Sequence, residues 1–276
     1  MRTADHAGRL SGMSLEALNA AKTADVRRYE AYTALWPQAE LDALEAEIGA
    51  IEKVMRPEVE LPEALFELAR TSLVALLVVG DPLQATTHVD LQLQADEAGL
   101  ECLVFHGVSI TTLVTGAIGL SNYKFGRQTT LTYPYGGWVA TSPLEVIAAN
   151  MHQNLHTLAL LDLDPTGEGI GHQLPMKPQD AVVSLRLMWE KLAEAIEEMP
   201  QETALQSMRV EACEALLSGD IDSMNVVLCS DMGTEDESIV ATTVGQLEGQ
   251  TGGRLNSLVF QSKASEVEEK ALLRWR

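Results

Sequence analysis

The densest group of chemistry-bearing side chains is Val78-Val79-Gly80-Asp81-Pro82-Leu83-Gln84-Ala85-Thr86-Thr87-His88. It follows an apolar run, Leu73–Val79, that stops at Gly80-Asp81-Pro82. Glycine lets backbone come close to a ligand. A carboxylate at a strand's end can accept hydrogen bonds or face a cation. Thr86, Thr87 and His88 add donors to the same turn. The residues equally suit a plain strand-to-helix turn in which Asp and Thr serve the backbone. Residue types alone leave both readings open.

Other groups offer less. His152 and His156 stand four apart, a metal-binding spacing only if one helix carries both. An apolar strand is expected from His156 to Leu163, which separates them, so no metal site is assigned. His106 ends an expected strand and reads as a satisfied core histidine. Cys102, Cys213 and Cys229 form no CxxC pair, which argues against a disulfide framework or structural zinc. Trp36, Trp138, Trp189 and Trp275 are scattered and make no stacking platform for bases. Met176, Met188, Met199 and Met208 read as core filler. Glu40, Glu45 and Glu47, like Glu194, Glu197 and Glu198, read as solvated helix faces.

Helical and strand-like segments alternate, which predicts an α/β fold. Helices are expected over Ser14–Ala24, Ala39–Ile48 and Pro62–Arg70; Ile51–Met55 fits either a last helical turn or a short strand. Leu73–Val79 fits a strand buried on both faces. A helix over Val89–Ala98 and a second buried strand over Cys102–His106 would complete a right-handed strand–helix–strand unit. Glycines 107, 116, 119 and 126 then interrupt the pattern and suggest a hinge. Beyond it, Thr129–Tyr133 is an expected strand. Ser142-Pro143-Leu144-Glu145 is a predicted capping box opening a helix that runs to about Asn154. Helices follow near Gln179–Glu198, with Val182, Leu185, Trp189, Leu192 and Ile196 on one stripe, and Glu202–Leu217. Strands are expected at Asn225–Ser230, Ser238–Val244 and Leu255–Gln261, with a last helix from Ser265. The division is an N-terminal α/β domain over 1–112 and a C-terminal one over 121–276. Ligands in open α/β sheets bind beyond the carboxyl ends of strands.

The chain has 276 residues, 46% apolar and 21% charged, so it can bury a core. Its 19 basic and 40 acidic residues give a formal charge of −21. Such a surface repels nucleic-acid backbones and anionic membranes, and fits strong solvation of the kind used at high salt. No apolar h-region opens the sequence and no run is long enough to cross a bilayer, so a soluble, cytoplasmic protein is expected.

Several motifs, in order, resemble those of the diphthine synthases, in the tetrapyrrole-methylase-like class of S-adenosylmethionine-dependent methyltransferases. The Gly80–His88 segment is similar to their GDPxxATTH signature. Tyr29-Glu30-Ala31-Tyr32-Thr33 resembles their E-x-Y-T segment, and Val104–Ile110 their IH-x-x-SI segment. Gly119–Gly126 resembles GL-x-x-Y-x-FG, and Leu155–Asp162 resembles LHTL-x-LLD. The resemblance covers residues 14–165 and is thinner beyond. It implies two α/β domains with a cofactor cleft between them, a homodimer, and methylation of the modified histidine of translation elongation factor 2. By motif, it assigns S-adenosylmethionine binding to Asp81, Gln84, Ser109, Ile110, Leu161, Ser230 and Met232. Asn256 stands where the family's histidine contacts the cofactor, and as a residue that can still hydrogen-bond it is an eighth expected cofactor-binding residue. Methyl transfer from a sulfonium relies on positioning and water exclusion, so no general base is assigned; Thr86 and Thr87 are candidates to orient the acceptor.

The family opens with a strand and a glycine-rich turn, whereas Met1–Gly12 reads MRTADHAGRLSG and has no apolar strand. This leaves two expectations: a misplaced gene start, or a weakened site. The second would make the chain a non-catalytic relative acting as a binding protein.

Overall fold

Leu73–Val79 shortens to a four-residue strand, Val74–Leu77, and Gly80 three residues beyond it lies in the left-handed region at φ +93°. The computed structural model describes residues 9–171 and 173–276. The chain divides into two compact units. The first runs to Leu113 and adds Thr166–Gln173 and Gly233–Glu235; the second holds Val114–Pro165, Leu174–Met232 and Asp236–Arg276.

In the first unit the order is α1 (Leu15–Thr23), β1 (Val26–Glu30), α2 (Gln38–Ile48), β2 (Glu52–Val54), α3 (Arg56–Glu60), α4 (Glu63–Ala69), β3 (Val74–Leu77) and α5 (His88–Glu97). Ser14 caps α1 by accepting the Ala17 N–H at 3.1 Å. The strands form a parallel sheet in the order β2-β1-β3, with Arg28 opposite Glu52 and Leu76. Strand β1, Val-Arg-Arg-Tyr-Glu, has no apolar pattern to announce it, but Tyr29 and Glu30 are buried. The alternative left open at Ile51–Met55 resolves as strand. Of the opening run Met1–Gly12, residues 1–8 lie outside the described residues, and Leu10–Gly12 is a 3-10 turn.

Two expectations fail here. Cys102–His106 forms no strand: Cys102 is exposed and Leu103 is 70% exposed, so apolar composition alone was a poor guide. Nor is β3 buried on both faces. It is an edge strand, and only Leu77 of its four residues is fully buried.

Helix α6 (Ile110–Ala117) leads into the second unit, which contains β4 (Thr129–Leu131), α7 (Ser142–His152), β5 (Thr157–Leu161), α8 (Pro178–Ala195), α9 (Ala204–Leu217), β6 (Asn225–Ser230), β7 (Ser238–Thr243), β8 (Asn256–Phe260) and α10 (Glu266–Leu272). The sheet order is β4-β5-β8-β6-β7. Strands β4 and β5 are parallel, and β8 runs antiparallel to both β5 and β6. The carboxyl ends of β4, β5 and β6 therefore share one edge with the start of β8. One continuous core joins Val182, Leu185, Met188 and Leu192 of α8 to Leu144, Leu258 and Phe260. Trp189 and Ile196, at the rim of the α8 stripe, pack against that core while staying partly exposed.

The cap of α7 differs from expectation. Thr141, not Ser142, is the N-cap, and its hydroxyl donates to Glu145 Oε1 at 2.7 Å. Glu145 also pairs with Arg209 of α9, which draws its carboxylate away from the helix N-terminus. His156 lies beyond α7, wholly buried, so it cannot share a helical face with His152.

Candidate functional site

In the first unit, the turn after β3 folds around Asp81. This residue is 6% exposed, and its Oδ1 accepts the Leu83 N–H at 2.9 Å. Its Oδ2 lies 2.9 Å from His106 Nδ1, and the Gly107 N–H also reaches the carboxylate. Burial pushes the Asp81 pKa up. The Leu83 N–H, His106 and the Gly107 N–H outweigh it and hold the carboxyl below its ordinary value. Asp81 is thus a buried, fixed anion at a strand's carboxyl end.

Gly107 makes this closeness possible. A Cβ on it would lie 2.2 Å from the Gly80 carbonyl oxygen. That approach brings Ser109 beside the turn; a Cβ on Gly80 would lie 3.9 Å from Ser109 Cα. Ser109 is buried and opens α6, its carbonyl accepting the N–H groups of Thr112 and Leu113. Its hydroxyl oxygen accepts from the Thr111 hydroxyl at 3.0 Å. Thr111 also reaches Gln84 Oε1 at 2.5 Å. So Asp81, Gln84, Ser109 and Ile110, far apart in sequence, gather at one end of β3. Thr111 was not anticipated, because only the fold brings it to Gln84.

The two threonines part company. Thr86 is engaged: its hydroxyl accepts the His88 N–H at 2.9 Å and donates to the Pro82 carbonyl at 3.3 Å. Thr87 precedes α5, makes no side-chain cap and is exposed. His106, expected in the core, is 70% exposed at its side chain and points to Asp81 instead. His88 is the buried imidazole of this turn, with Nδ1 3.0 Å from the Pro82 carbonyl.

In the second unit, Leu161 ends β5 and Ser230 ends β6, both on the edge where β8 begins at Asn256. Ser230 faces Asn256 in the ladder, and its hydroxyl donates to Asn256 Oδ1 at 2.8 Å. Asn256 Oδ1 also accepts the Gly253 N–H at 2.8 Å, while Nδ2 donates to the carbonyls of Met176 and Gly253 at 3.2 Å. The Asn256 side chain therefore fastens the edge together. Asp231 adopts a left-handed φ of +47° and accepts the N–H groups of Arg254 and Leu255 at 2.9 Å. This bend buries Met232.

Two tyrosines complete this edge and were not anticipated. The Tyr135 hydroxyl donates to Asp162 Oδ2 at 2.6 Å, and the Tyr133 hydroxyl donates to the Leu174 carbonyl at 3.0 Å. Burial, then Asp180, pushes the Tyr133 phenol well above its usual pKa, so it stays a donor at neutral pH. Among the described residues no cluster of His, Cys, Asp and Glu has a metal-holding arrangement.

Asp81 places a negative charge at this end of β3, which favours a cationic ligand over an anionic one.

Residues 7–248 match the family model described as Tetrapyrrole (Corrin/Porphyrin) Methylases. The chain is 39% identical over 158 residues to the diphthine synthase of Methanocorpusculum labreanum, covering 56% of this chain and 63% of that protein. It is 37% identical over 187 residues to the diphthine synthase of Halorubrum lacusprofundi, covering 64% of this chain and 71% of that protein. The match to the Methanospirillum hungatei protein spans 62% of that relative's length, so for several relatives less than two thirds is covered. A crystal structure of diphthine synthase superposes with TM-score 0.76 and 26% identity, over 98% of this chain and 92% of that one.

Proposed function

Since the chain belongs to the tetrapyrrole (corrin/porphyrin) methylase family, on its diphthine synthase branch, we propose that it is an S-adenosylmethionine-dependent methyltransferase acting on the amino-carboxypropyl-modified histidine of translation elongation factor 2. The proposal includes a cytoplasmic homodimer. The observation that carries it is Asp81. It is a buried carboxylate held ionised at a strand's carboxyl end, inside the segment that resembles the family's GDPxxATTH signature, and perturbed carboxylates in such places mark candidate binding sites.

When bound, S-adenosylmethionine supplies an activated methyl group on a sulfonium. Asp81, Gln84, Ser109 and Ile110 in the first unit, and Leu161, Ser230 and Met232 in the second, are the proposed binding residues. Asp81 accepts hydrogen bonds from the cofactor rather than taking a proton. A base beside the acceptor amine would hold it as ammonium, whereas attack needs the neutral amine. Asn256 acts by fixing Ser230 and the Gly253 backbone. Thr87, exposed and uncapped, orients the acceptor, while Thr86 shapes the turn. The −21 charge at least does not repel a cationic cofactor.

Calorimetry with S-adenosylmethionine tests this reading. One saturable site is expected, weakened at least about tenfold by Asp81→Asn, which corresponds to a loss of about 1.4 kcal/mol. Absence of binding to the unaltered chain would reject the reading and favour a non-catalytic relative.

A further inference from the structure

We propose that His88 is a positioning residue of the cofactor site, setting Asp81 through the one peptide plane between Pro82 and Leu83, and that Tyr32 sets His88. The inference rests on the methyltransferase reading and deepens it. It gives a role to two segments that the proposed chemistry leaves idle, Tyr29–Thr33 and the histidine that ends Gly80–His88.

The peptide plane is the link. The Leu83 N–H donates to Asp81 Oδ1 at 2.9 Å. The carbonyl of that same peptide is Pro82's, and it lies 3.0 Å from His88 Nδ1. A trans peptide unit is planar, with C=O and N–H pointing opposite ways. Holding the oxygen therefore aims the N–H. The ring of Pro82 locks its φ, which leaves this plane less freedom to turn. A carbonyl only accepts, so Nδ1 must carry the hydrogen. The Thr86 hydroxyl is a second donor to the same oxygen, longer at 3.3 Å. A carbonyl that accepts a hydrogen bond also makes its N–H a better donor, so the grip on Asp81 is strengthened as well as aimed.

The other ring nitrogen is held too. His88 is buried, and its Nε2 lies 3.5 Å from the Tyr32 hydroxyl, with the two rings edge-on at 88°. With the hydrogen on Nδ1, Nε2 of the neutral ring is an acceptor and the phenol is its donor. Burial, then Glu30, pushes the Tyr32 pKa well above its ordinary value, which keeps that hydrogen in place. Tyr32 is itself braced. Glu30 is wholly buried and commits both carboxylate oxygens to Thr33, accepting its N–H at 2.9 Å and its hydroxyl at 2.7 Å. That closes a bend around Tyr32. The Arg56 guanidinium carbon lies 5.2 Å from the centre of the Tyr32 ring. All of these residues belong to the first unit. The bracing thus runs from the end of β1 to the Asp81 turn without a break.

Two substitutions separate the ring nitrogens. His88→Asn places its amide nitrogen where Nδ1 was, and His88→Gln places it where Nε2 was. Asparagine is the smaller side chain, so packing alone ranks the Gln variant above the Asn variant. The proposal ranks them the other way for the cofactor. Calorimetry on the full chain with S-adenosylmethionine is expected to show at least about tenfold weaker binding for His88→Gln, with recovery to within about threefold for His88→Asn. KM for the acceptor stays within about twofold in both, because the plane acts on the cofactor side. Tyr32→Phe removes one hydroxyl from a packed ring and is expected to weaken binding about threefold; it carries the test if the His88 variants do not fold. Histidine-selective nitrogen NMR of the cofactor-free chain reads the tautomer directly, and the hydrogen of His88 is expected on Nδ1. Affinities that follow the melting temperatures, Gln above Asn, overturn the proposal, as does a His88 hydrogen on Nε2 alone. Unchanged binding in Tyr32→Phe overturns the part given to Tyr32. Absence of binding to the unaltered chain overturns both this inference and the methyltransferase reading, and is the one result that removes the latter.

Discussion

Asp81 Oδ2 and His106 Nδ1 lie 2.9 Å apart, although all of α5 separates them in the chain. The pair is asymmetric, with the carboxylate buried and the imidazole largely exposed. His106 therefore screens Asp81 from one side without neutralising it in an enclosed space. Its folded-state pKa is depressed, so Asp81 contributes stability above the unfolded value of about 3.9. That contribution is lost as pH falls through the lower folded value. His106→Ala removes one of several partners. We expect cofactor affinity to fall less than about threefold, against at least about tenfold for Asp81→Asn, measured side by side in calorimetry.

Gly107→Ala should destabilise the first unit by about 1–3 kcal/mol, because the new methyl would meet the Gly80 carbonyl at 2.2 Å and both partners are backbone. Gly116→Ala is the matched control. It lies in α6 with nothing within 4 Å of its Cβ position, so it should stabilise by about 0.5 kcal/mol. Urea denaturation of the two variants gives opposite signs if the close approach is as described.

The second unit carries an acid-sensitive cluster. Glu268 accepts from the backbone of Ser121 and Ser265, pairs with Lys124 at 3.1 Å, and sits 3.3 Å from His156 Nε2. Burial raises the Glu268 pKa, but the Ser265 and Ser121 N–H groups and Lys124 depress it well below the usual range. Its stabilisation is present above about pH 4.3 and lost as pH falls through the folded value. Burial lowers the His156 pKa, so the unfolded chain takes up that proton first, and stability also drops below about pH 6.5. Glu268→Gln should cost about 3 kcal/mol at pH 7 and flatten the fall in stability below about pH 5, read from denaturation at several pH values.

Thr86→Ala removes a hydroxyl that satisfies the His88 N–H, and should cost about 1 kcal/mol of stability. Thr87→Ala should leave stability within about 0.5 kcal/mol but raise KM for the protein acceptor. Thermal melts and initial rates separate the two. An unchanged KM for the acceptor in the Thr87→Ala variant would remove Thr87 from acceptor positioning.

What could be read from the sequence follows from how local its cause is. Strands β5, β6 and β8 were legible because each is a compact apolar run ended by a polar turn. Helix α8 was legible from its buried stripe. Strand β1 was not, because two arginines occupy it and its burial comes from neighbours on either side. Cys102–His106 was overread for the opposite reason: its side chains are apolar, but the fold leaves its backbone unpaired. The Asp81 turn was visible through residue types. The Thr111–Gln84 and Tyr135–Asp162 contacts were not, since each joins residues 27 apart. His106 was misassigned because strand-end position implied burial, whereas residues 102–106 form no strand and leave its side chain 70% exposed.

The central claim is methyl transfer, and it is tested most directly by incubating the chain with labelled S-adenosylmethionine and elongation factor 2 bearing the amino-carboxypropyl histidine. The account predicts label on that one histidine, and none when the histidine is unmodified. Cofactor binding with no label transferred, under conditions where a known diphthine synthase labels the same substrate, would contradict it.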